Sequence, residues 1–431
     1  MEGRIYSPGA GHRPPLLAGR DQLLGHWRIT LNAAAVDGRR SVEDALLTGS
    51  RGVGKTALLT AFVDEARDRG FVDMQFQAVR GADSVVDQIA TKAIAHTADK
   101  DGSWRRARVL FERLTVGVTG FGVSAQIQPG DRGPTAAPTR DPSVLAEALA
   151  ILAAAIREES HGGGVLITLD EMQVARQDDL ALVAGALHRL NVEHPDAPVV
   201  FAGTGLPNTT DVLAAAGVTH PSRLFDQQPV PLTLSREDAT LAIWEPAREH
   251  GVMWHPDAVR EIVEASNGYP AHLQILAHAT WQLAPGPREI IHRDALRGVK
   301  AGIEQIARRS LGPRWDTMPD RQMEYLAALA ANGGAASVRQ LETILGRDQK
   351  SFSAVRDALI REGDIYAPRR GHIHIAVPLM VPFVLSRYDD ARALAEHPNQ
   401  LVPLAAMNQR AQDTGLEPPK SPRNNAHSPS Q

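Results

Sequence analysis

The sequence contains no cysteine. Disulfide bonds, thiolate metal ligands and a thiol nucleophile are therefore excluded, and the composition fits a reducing compartment. An excess of charge of one sign is also missing, because 46 Lys and Arg residues stand against 50 Asp and Glu residues, for a net charge of −4. This balance argues against a protein that coats nucleic acid or anionic lipid over its whole surface, so any such contact is expected to be a local patch.

Long hydrophobic runs are absent as well. The strongest apolar stretch, Leu145 to Ile156, contains Glu147 and is shorter than the roughly 18 residues needed to span a bilayer. The amino-terminal residues 1–15 lack the apolar block of a secretory signal. We therefore expect a cytoplasmic protein that makes no membrane contact.

The length of 431 residues is too great for one ordinary core. Short apolar runs alternate with helical patterns through the first half of the chain. They predict strands at 44–48, 71–79, 164–169 and 198–202, with helices at 56–68, 144–158 and 180–190. Continuous aliphatic runs are typical of strands buried in a parallel sheet, and their alternation with helices predicts a doubly wound α/β fold.

Residues 49–56 match the pattern G-x-x-x-x-G-K-[ST] between a predicted strand and a predicted helix. In such a loop the glycines let successive N–H groups face phosphate oxygens, and the helix that follows presents the positive end of its dipole. The lysine adds a mobile charge, and the threonine hydroxyl is a ligand for Mg²⁺. We expect a nucleotide-phosphate site formed by Gly49, Ser50, Arg51, Gly52, Val53, Gly54, Lys55 and Thr56.

A second pattern places two adjacent carboxylates, Asp170 and Glu171, at the end of the apolar run Val165 to Leu169. Ligands of open α/β sheets bind at the carboxyl ends of the strands. We expect Asp170 to complete the Mg²⁺ site and Glu171 to polarise the attacking water. The alternative is a strand that ends in solvated acids.

These two motifs together resemble the AAA+ branch of P-loop ATPases, in particular its origin-recognition-like and STAND members. The resemblance implies ATP as substrate, Mg²⁺ as cofactor and ATP hydrolysis as the activity. Arg20, in Gly19-Arg20-Asp21, is similar to a family segment that lies against the adenine. Thr204, after the fourth apolar run, matches the position of the polar sensor-1 residue.

The resemblance extends to Arg223 and Pro270. Arg223 follows Thr204 by 19 residues and matches the usual place of an arginine finger, acting across a subunit boundary or within the chain, unless it is a surface arginine. Pro270 belongs to a G-x-P signature that the family places beside the nucleotide. No arginine stands near it at a sensor-2 position, where His272 and Gln274 are found, so slow hydrolysis is expected.

The carboxy-terminal part resembles a winged-helix domain. Its pattern is three helices followed by a two-stranded hairpin, at 321–329, 338–345, 349–361, 364–366 and 372–376. The predicted division of the chain is a flexible segment 1–15, an AAA+ domain 16–233 with a hairpin insertion near 102–142, a helical lid 234–312, the winged-helix domain 313–390 and a flexible tail 391–431.

The third helix and the hairpin of this module carry a local excess of basic residues. If the module docks on double-stranded DNA, Lys350 and Arg356 reach the groove while Arg369 and Arg370 contact phosphates. Contact with another protein is the alternative. His372 and His374 share one strand face but lack an evident third metal ligand, and the basic run 105–108 is interpreted as a solvated helix face.

Three functions therefore stay open at this point. The first is an ATP-binding switch of origin-recognition-like type that couples nucleotide state to DNA binding. The second is a STAND-like signalling ATPase whose winged helix contacts protein, by self-association or with another chain. The third is an ATP-dependent loader or target selector of a mobile element, which would share all of these motifs.

Overall fold

The structure, a computed structural model, describes residues 5–9, 11–40, 44–115, 140–284 and 288–388. The chain divides into two compact units, Met1–Gly302 and Ile303–Gln431. Among the described residues, no helix combines the length and the hydropathy that a bilayer crossing requires.

A five-stranded parallel sheet organises the first unit, in the order β2-β3-β4-β1-β5. The strands are β1 (Asp44–Thr48), β2 (Val72–Gln77), β3 (Val165–Asp170), β4 (Val199–Gly205) and β5 (Phe225–Pro229). Strands β3 and β4 are buried along their whole length, which is why both appear in the sequence as continuous apolar runs. The predicted parallel α/β fold is confirmed.

Helices precede and connect the strands, and most of them share one hydrophobic core with the sheet. They are α1 (Asp21–Asn32), α2 (Lys55–Arg67), α3 (Val85–Thr97), α4 (Ser103–Leu114), α5 (Pro142–Ser160), α6 (Gln177–Glu193), α7 (Thr209–Ala215) and α8 (Pro221–Leu224). In β3, Val165, Ile167 and Leu169 enter the core that also contains residues of α3 to α6. Because strand side chains alternate, Leu166 and Thr168 face the other side of the sheet.

The segment around 102–142 contains helical as well as undescribed residues. Helix α4 carries Arg105 and Arg106 on its exposed face, whereas Arg108 donates to the carbonyls of Thr97 and Ala98, at 2.6 Å each, at the end of α3. Residues 116–139, where the hairpin strands are predicted, lie outside the described part of the chain. The hairpin therefore stays a prediction.

The segment predicted as a lid, called the lid below, follows the sheet, and all of it up to Gly302, within the helix His292–Ile306, belongs to the first unit. It contains α9 (Arg236–Glu249), β6 (Met253–Trp254), α10 (Pro256–Ser266), α11 (Pro270–Leu283), β7 (Glu289–Ile290) and α12 (His292–Ile306). The two short strands pair in parallel, a feature absent from the sequence-based prediction of a purely helical region.

The amino-terminal residues Ile5–Ser7 are anchored in the lid, so the prediction of a flexible segment 1–15 is wrong for them. The Tyr6 side chain is 1% exposed, and its hydroxyl donates to the carbonyl of Ile243 at 2.6 Å and accepts from Nε1 of Trp254 at 3.0 Å. The Ser7 N–H donates to Oε1 of Gln274 at 2.9 Å. Burial of an aromatic ring with a satisfied hydroxyl overrides the local Pro/Gly composition.

The second unit begins at Ile303, within the last turn of the helix His292–Ile306, and continues with a π-helix, Ala307–Leu311, small helices and an antiparallel sheet. Its elements are α13 (Gly312–Asp316), α14 (Asp320–Ala331), β8 (Ala335–Ser337), α15 (Val338–Leu345), α16 (Gln349–Glu362), β9 (Ile365–Arg369), β10 (His372–Ile375) and α17 (Met380–Arg387). The strand order is β8-β10-β9. Arg370 and Gly371, the latter with φ +80°, make the two-residue turn of the β9–β10 hairpin.

Candidate nucleotide site

The loop between β1 and α2 is curled by two glycines with positive φ, Gly52 at +75° and Gly54 at +93°. Residues with a Cβ rarely adopt this conformation. The loop is fixed to the sheet by the N–H of Gly49, which donates to the carbonyl of Gly205 at the end of β4, at 3.1 Å. Its backbone is therefore shaped to present N–H groups to an anion at the carboxyl edge of the sheet.

Lys55, the first residue of α2, has a buried side chain. Its Nζ donates to the carbonyls of Gly49 and Ser50, at 2.9 Å each. Burial lowers the pKa of the Lys55 ammonium, and the negative charges of Glu171 and Asp170 act in the opposite direction. No carboxylate in the described residues lies within ion-pair distance of Nζ, so this buried cation suits a phosphate ligand.

Thr56, Asp170 and Thr204 form one hydrogen-bonded group. Oγ1 of Thr56 donates to Oδ2 of Asp170 at 2.7 Å, and the hydroxyl of Thr204 donates to Oδ1 of the same carboxylate. The register explains the second contact, because Leu169 and Gly203 are partners in β3 and β4 and the next residues are Asp170 and Thr204. The sheet therefore brings together three residues that lie far apart in the sequence.

This donor set fits Mg²⁺. A hydroxyl oxygen and a carboxylate oxygen are hard ligands, and Mg²⁺ in proteins is commonly held by one or two carboxylates together with substrate phosphates. In the described part of the chain no group of three or more His, Asp or Glu residues could hold a metal ion by itself. A Mg²⁺ ion held by Thr56 and Asp170 would therefore take its remaining ligands from phosphate and water.

Glu171 follows β3 in a left-handed conformation, with φ +58°. Non-glycine residues adopt it at a cost, and such residues cluster at functional sites. Its N–H faces Oδ1 of Asp170 at 3.0 Å and Oγ1 of Thr204 at 3.2 Å.

Gln173 is a site residue that the sequence motifs do not indicate. Its Nε2 donates to Oε2 of Glu171 at 2.6 Å, and its Oε1 accepts from the N–H of Leu206 at 3.2 Å. Gln173 thus links the Glu171 carboxylate to the chain that leaves β4. A glutamine two residues after the acidic pair has no signature of its own, so only the folded geometry reveals it.

Arg20 and the residue after Pro270 donate hydrogen bonds to backbone carbonyls of the loop. Arg20 is 4% exposed, and its Nη2 donates to the carbonyls of Val53 at 3.0 Å and Pro231 at 3.4 Å. Pro270 is the first residue of α11, and the N–H of the next residue, Ala271, donates to the carbonyl of Gly52 at 3.1 Å. Both segments therefore lie against the phosphate loop.

Arg223 lies elsewhere. It is exposed in α8, two residues before β5, and Phe225 pairs with Asp44 at the start of β1. The phosphate loop follows the other end of β1. Arg223 therefore stands at the amino edge of the sheet, away from the chain's own site, and no ion pair with Asp226 is formed among the described residues.

The predicted DNA-binding residues differ in their exposure to solvent. Lys350, Arg369 and Arg370 are exposed, on the first turn of α16, at the end of β9 and in the hairpin turn. Arg356 is half-buried, and its Nη2 lies 3.1 Å from Oδ1 of Asp357.

His372 and His374 belong to no group of three or more potential metal ligands in the described part of the chain. Nδ1 of His374 lies 3.5 Å from the hydroxyl of Tyr366, and burial lowers the pKa of His374. His372 and His374 are both half-buried, between the buried Ile373 and Ile375.

A comparison with known families agrees with the fold of the first unit. Residues 16–201 match the family model of the AAA ATPase domain, and residues 309–384 match a domain of unknown function, DUF8462. The amino-terminal half of the chain therefore contains an AAA ATPase domain. No curated protein sequence matches the chain.

Solved structures show the same fold. A Walker-type ATPase of Pyrococcus abyssi has a TM-score of 0.57 at 16% identity, covering 86% of this chain and 97% of that one. The ORC2 protein of Aeropyrum pernix, solved as ADPNP and ADP complexes, has a TM-score of 0.54 at 14% identity, covering 89% of this chain and 96% of that one. At these identities the likeness describes the fold alone.

Proposed function

We propose that this protein is an ATP-dependent switch, which binds ATP with Mg²⁺ at the phosphate loop, hydrolyses it slowly and couples the nucleotide state to a winged-helix module that binds duplex DNA. The observation that carries the proposal is the buried Lys55 ammonium beside the hydrogen-bonded group of Thr56, Asp170 and Thr204. A buried cation, a curled loop and the acidic end of a strand lie together at one edge of the sheet. Such a group of features forms a site for a nucleoside triphosphate.

Each residue of the site has a role in this proposal. The loop N–H groups of residues 49–56 and the Lys55 ammonium bind the phosphates. Thr56 and Asp170 hold Mg²⁺, which when bound neutralises phosphate charge. Glu171 orients water and accepts its proton, with its carboxylate held by Gln173 at 2.6 Å.

Arg223 is proposed to act on a neighbouring subunit. Its place at the amino edge of the sheet leaves it exposed and distant from the phosphate loop of the same chain. A guanidinium supplied across a subunit boundary stabilises charge that develops on the transferred phosphoryl group. The proposal therefore includes self-association in the presence of ATP.

The second unit is proposed to be the winged-helix module. Its order of helix, strand, helix, helix and hairpin, α14-β8-α15-α16-β9-β10, supports this assignment. In the proposed complex α16 enters the major groove, with Lys350 on its first turn, and Arg369 and Arg370 contact phosphates from the hairpin. Arg356 contributes less, because Asp357 already pairs with it.

Protein contact is the second candidate for this module, and the ion pairs of the unit favour it. Arg314 pairs with Glu362 and Asp364, and Arg347 pairs with Glu324 at 2.9 Å. Each pair removes a cation from the surface available to phosphates. A STAND-like signalling ATPase, or a loader or target selector of a mobile element, would use the same module against a protein.

An electrophoretic shift of a duplex, with and without ATP at two salt concentrations, tests the DNA arm. We expect ATP-sensitive binding that weakens with salt, and the Arg369→Ala, Arg370→Ala double variant should lose affinity with a shallower salt dependence. Lys350→Ala should change the preference among sequences.

The matched control is an Arg105→Ala, Arg106→Ala double variant, which removes two exposed arginines from the other unit and should bind DNA as the wild type does. If no duplex binds at low salt, with or without ATP, the DNA arm fails and protein contact becomes the better account of the second unit.

A further inference from the structure

The back of the phosphate loop is covered by hydrogen-bond donors. Every carbonyl of residues 49–53 accepts a hydrogen bond, the first two from Nζ of Lys55. The third accepts from the hydroxyl of Tyr269, the fourth from the N–H of Ala271 at 3.1 Å, and the fifth from Nη2 of Arg20 at 3.0 Å. Two of these donors, Tyr269 and Ala271, belong to the lid.

The lid approaches the loop at a position built for it. The Tyr269 side chain is 2% exposed, and a Cβ added at Gly52 would lie 2.6 Å from the Tyr269 hydroxyl oxygen and 3.1 Å from the Cβ of Ala271. A contact of 2.6 Å is too short for a side chain, so Gly52 serves the approach of the lid as well as the curl of the loop.

The turn that carries Tyr269 is itself fixed. Asn267 and Gly268 both have positive φ, at +50° and +66°, and end α10. The carbonyl of Gly268 accepts from the N–H of Leu234 at 2.9 Å, which ties the turn to the chain that leaves β5. The hydroxyl of Tyr269 is therefore held at the loop from a fixed backbone.

A hydrogen bond to the loop backbone depends on the loop's conformation. In a loop of this type, the N–H groups that bind phosphate and the carbonyls behind them belong to the same peptide planes. When phosphate orients the N–H groups, it also orients the carbonyls of Arg51 and Gly52 toward or away from their lid donors. Binding at the front and contact at the back are linked, and the linkage is reciprocal.

We propose that Tyr269 is a positioning residue for the phosphate loop, through which ATP binding and the placement of the lid are coupled. The proposal rests on the nucleotide site proposed above and adds Tyr269, which occupies the variable position of the G-x-P signature. It assigns the coupling to the tyrosine hydroxyl and to the start of α11, behind the loop, and not to a side chain that touches the nucleotide.

The test is Tyr269→Phe in the full chain, with a fluorescent ATP analogue and Mg²⁺ as the probe. Loss of one buried hydrogen bond should weaken ATP binding roughly two- to tenfold. The matched control is Tyr6→Phe, which removes the hydroxyl of a buried tyrosine in the amino-terminal segment, bonded to the carbonyl of Ile243 in the lid and away from the loop. The control should bind ATP as the wild type does.

Hydrogen exchange of the Ala271 amide distinguishes the proposed coupling from a purely structural role of Tyr269. ATP should slow exchange of this amide in the wild type and in Tyr6→Phe, and should slow it less in Tyr269→Phe. The wild-type measurement needs no variant, so unchanged exchange of the Ala271 amide on ATP binding overturns the coupling even if Tyr269→Phe folds poorly.

The outcomes separate the two proposals. If the wild type does not bind ATP, the proposed nucleotide site itself fails. If the wild type binds ATP but Tyr269→Phe binds equally well, or ATP leaves Ala271 exchange unchanged, the nucleotide site stands and the coupling through Tyr269 is overturned.

Discussion

Arg223 gives the sharpest prediction about assembly. Four residue steps of about 3.3 Å separate the two ends of β1, so Arg223 lies on the order of 13 Å or more from the phosphate loop of its own chain. An arginine side chain does not cover that distance. If Arg223 acts in catalysis, its target is therefore the site of a neighbouring subunit, and Arg223→Ala should lower turnover by about a thousandfold with little change in ATP affinity.

Mixing two inactive variants tests this arrangement. The Arg223→Ala chain has an intact Glu171 but no finger, and the Glu171→Gln chain has the finger but no base. In an equal random mixture about a quarter of the interfaces combine an intact site with an intact finger, so turnover should return to about a quarter of the wild-type value. Phosphate release is measured for each variant alone and for the mixture.

Two results would contradict the action of Arg223 on a neighbouring subunit. A mixture no more active than the separate variants would show that no interface was repaired. A protein that stays monomeric with ATP in analytical ultracentrifugation would leave Arg223 as a surface arginine.

Three further predictions concern single side chains. Gln173→Ala should reduce kcat about ten- to a hundredfold with unchanged ATP affinity, because the Glu171 carboxylate loses its donor; equal kcat would show that Gln173 positions nothing. Arg40→Met should lower the free energy of unfolding by about 3–5 kcal/mol in a urea titration, because Asp44 is left buried without its cation, and a loss below about 1 kcal/mol would contradict this. Burial lowers the pKa of His272 from an ordinary 6.5 to about 4. The unfolded chain therefore binds the proton more tightly than the folded chain does. As a result, the free energy of unfolding should fall by about 3 kcal/mol as the pH decreases from 6.5 towards 4. His272→Asn should weaken the dependence of stability on pH in this range, and an unchanged dependence would show that His272 does not cause it.

The sequence indicated those elements whose local pattern matches their burial. Strands β3 and β4 are buried on both faces and therefore appear as apolar runs, and α15 begins and ends at the predicted residues, 338 and 345. Strand β5 has the sequence Phe-Asp-Gln-Gln-Pro and lies at the edge of the sheet, so only part of it is buried. A search for continuous apolar runs cannot detect such a strand.

The remaining differences arise from contacts that are distant in the sequence. Tyr6 is held by hydrogen bonds to Ile243 and Trp254, more than two hundred residues away, so no local sequence pattern predicts its burial. Gln173 gains its role only because the chain leaving β4 passes beside it. The site motifs are local and could be predicted, whereas the groups that hold them in place depend on the fold.

The proposed function depends on ATP binding by the loop of residues 49–56. The most direct measurement is a titration of the wild type, Lys55→Ala and the control Lys92→Ala with a fluorescent ATP analogue and Mg²⁺, with thermal unfolding of each variant to verify folding. Lys92 is exposed on α3 in the same unit. We expect saturable binding to the wild type and the control and a loss of affinity of at least about tenfold in the Lys55 variant, since a charge-assisted phosphate contact is removed. Equal affinity in a folded Lys55→Ala protein would contradict this expectation.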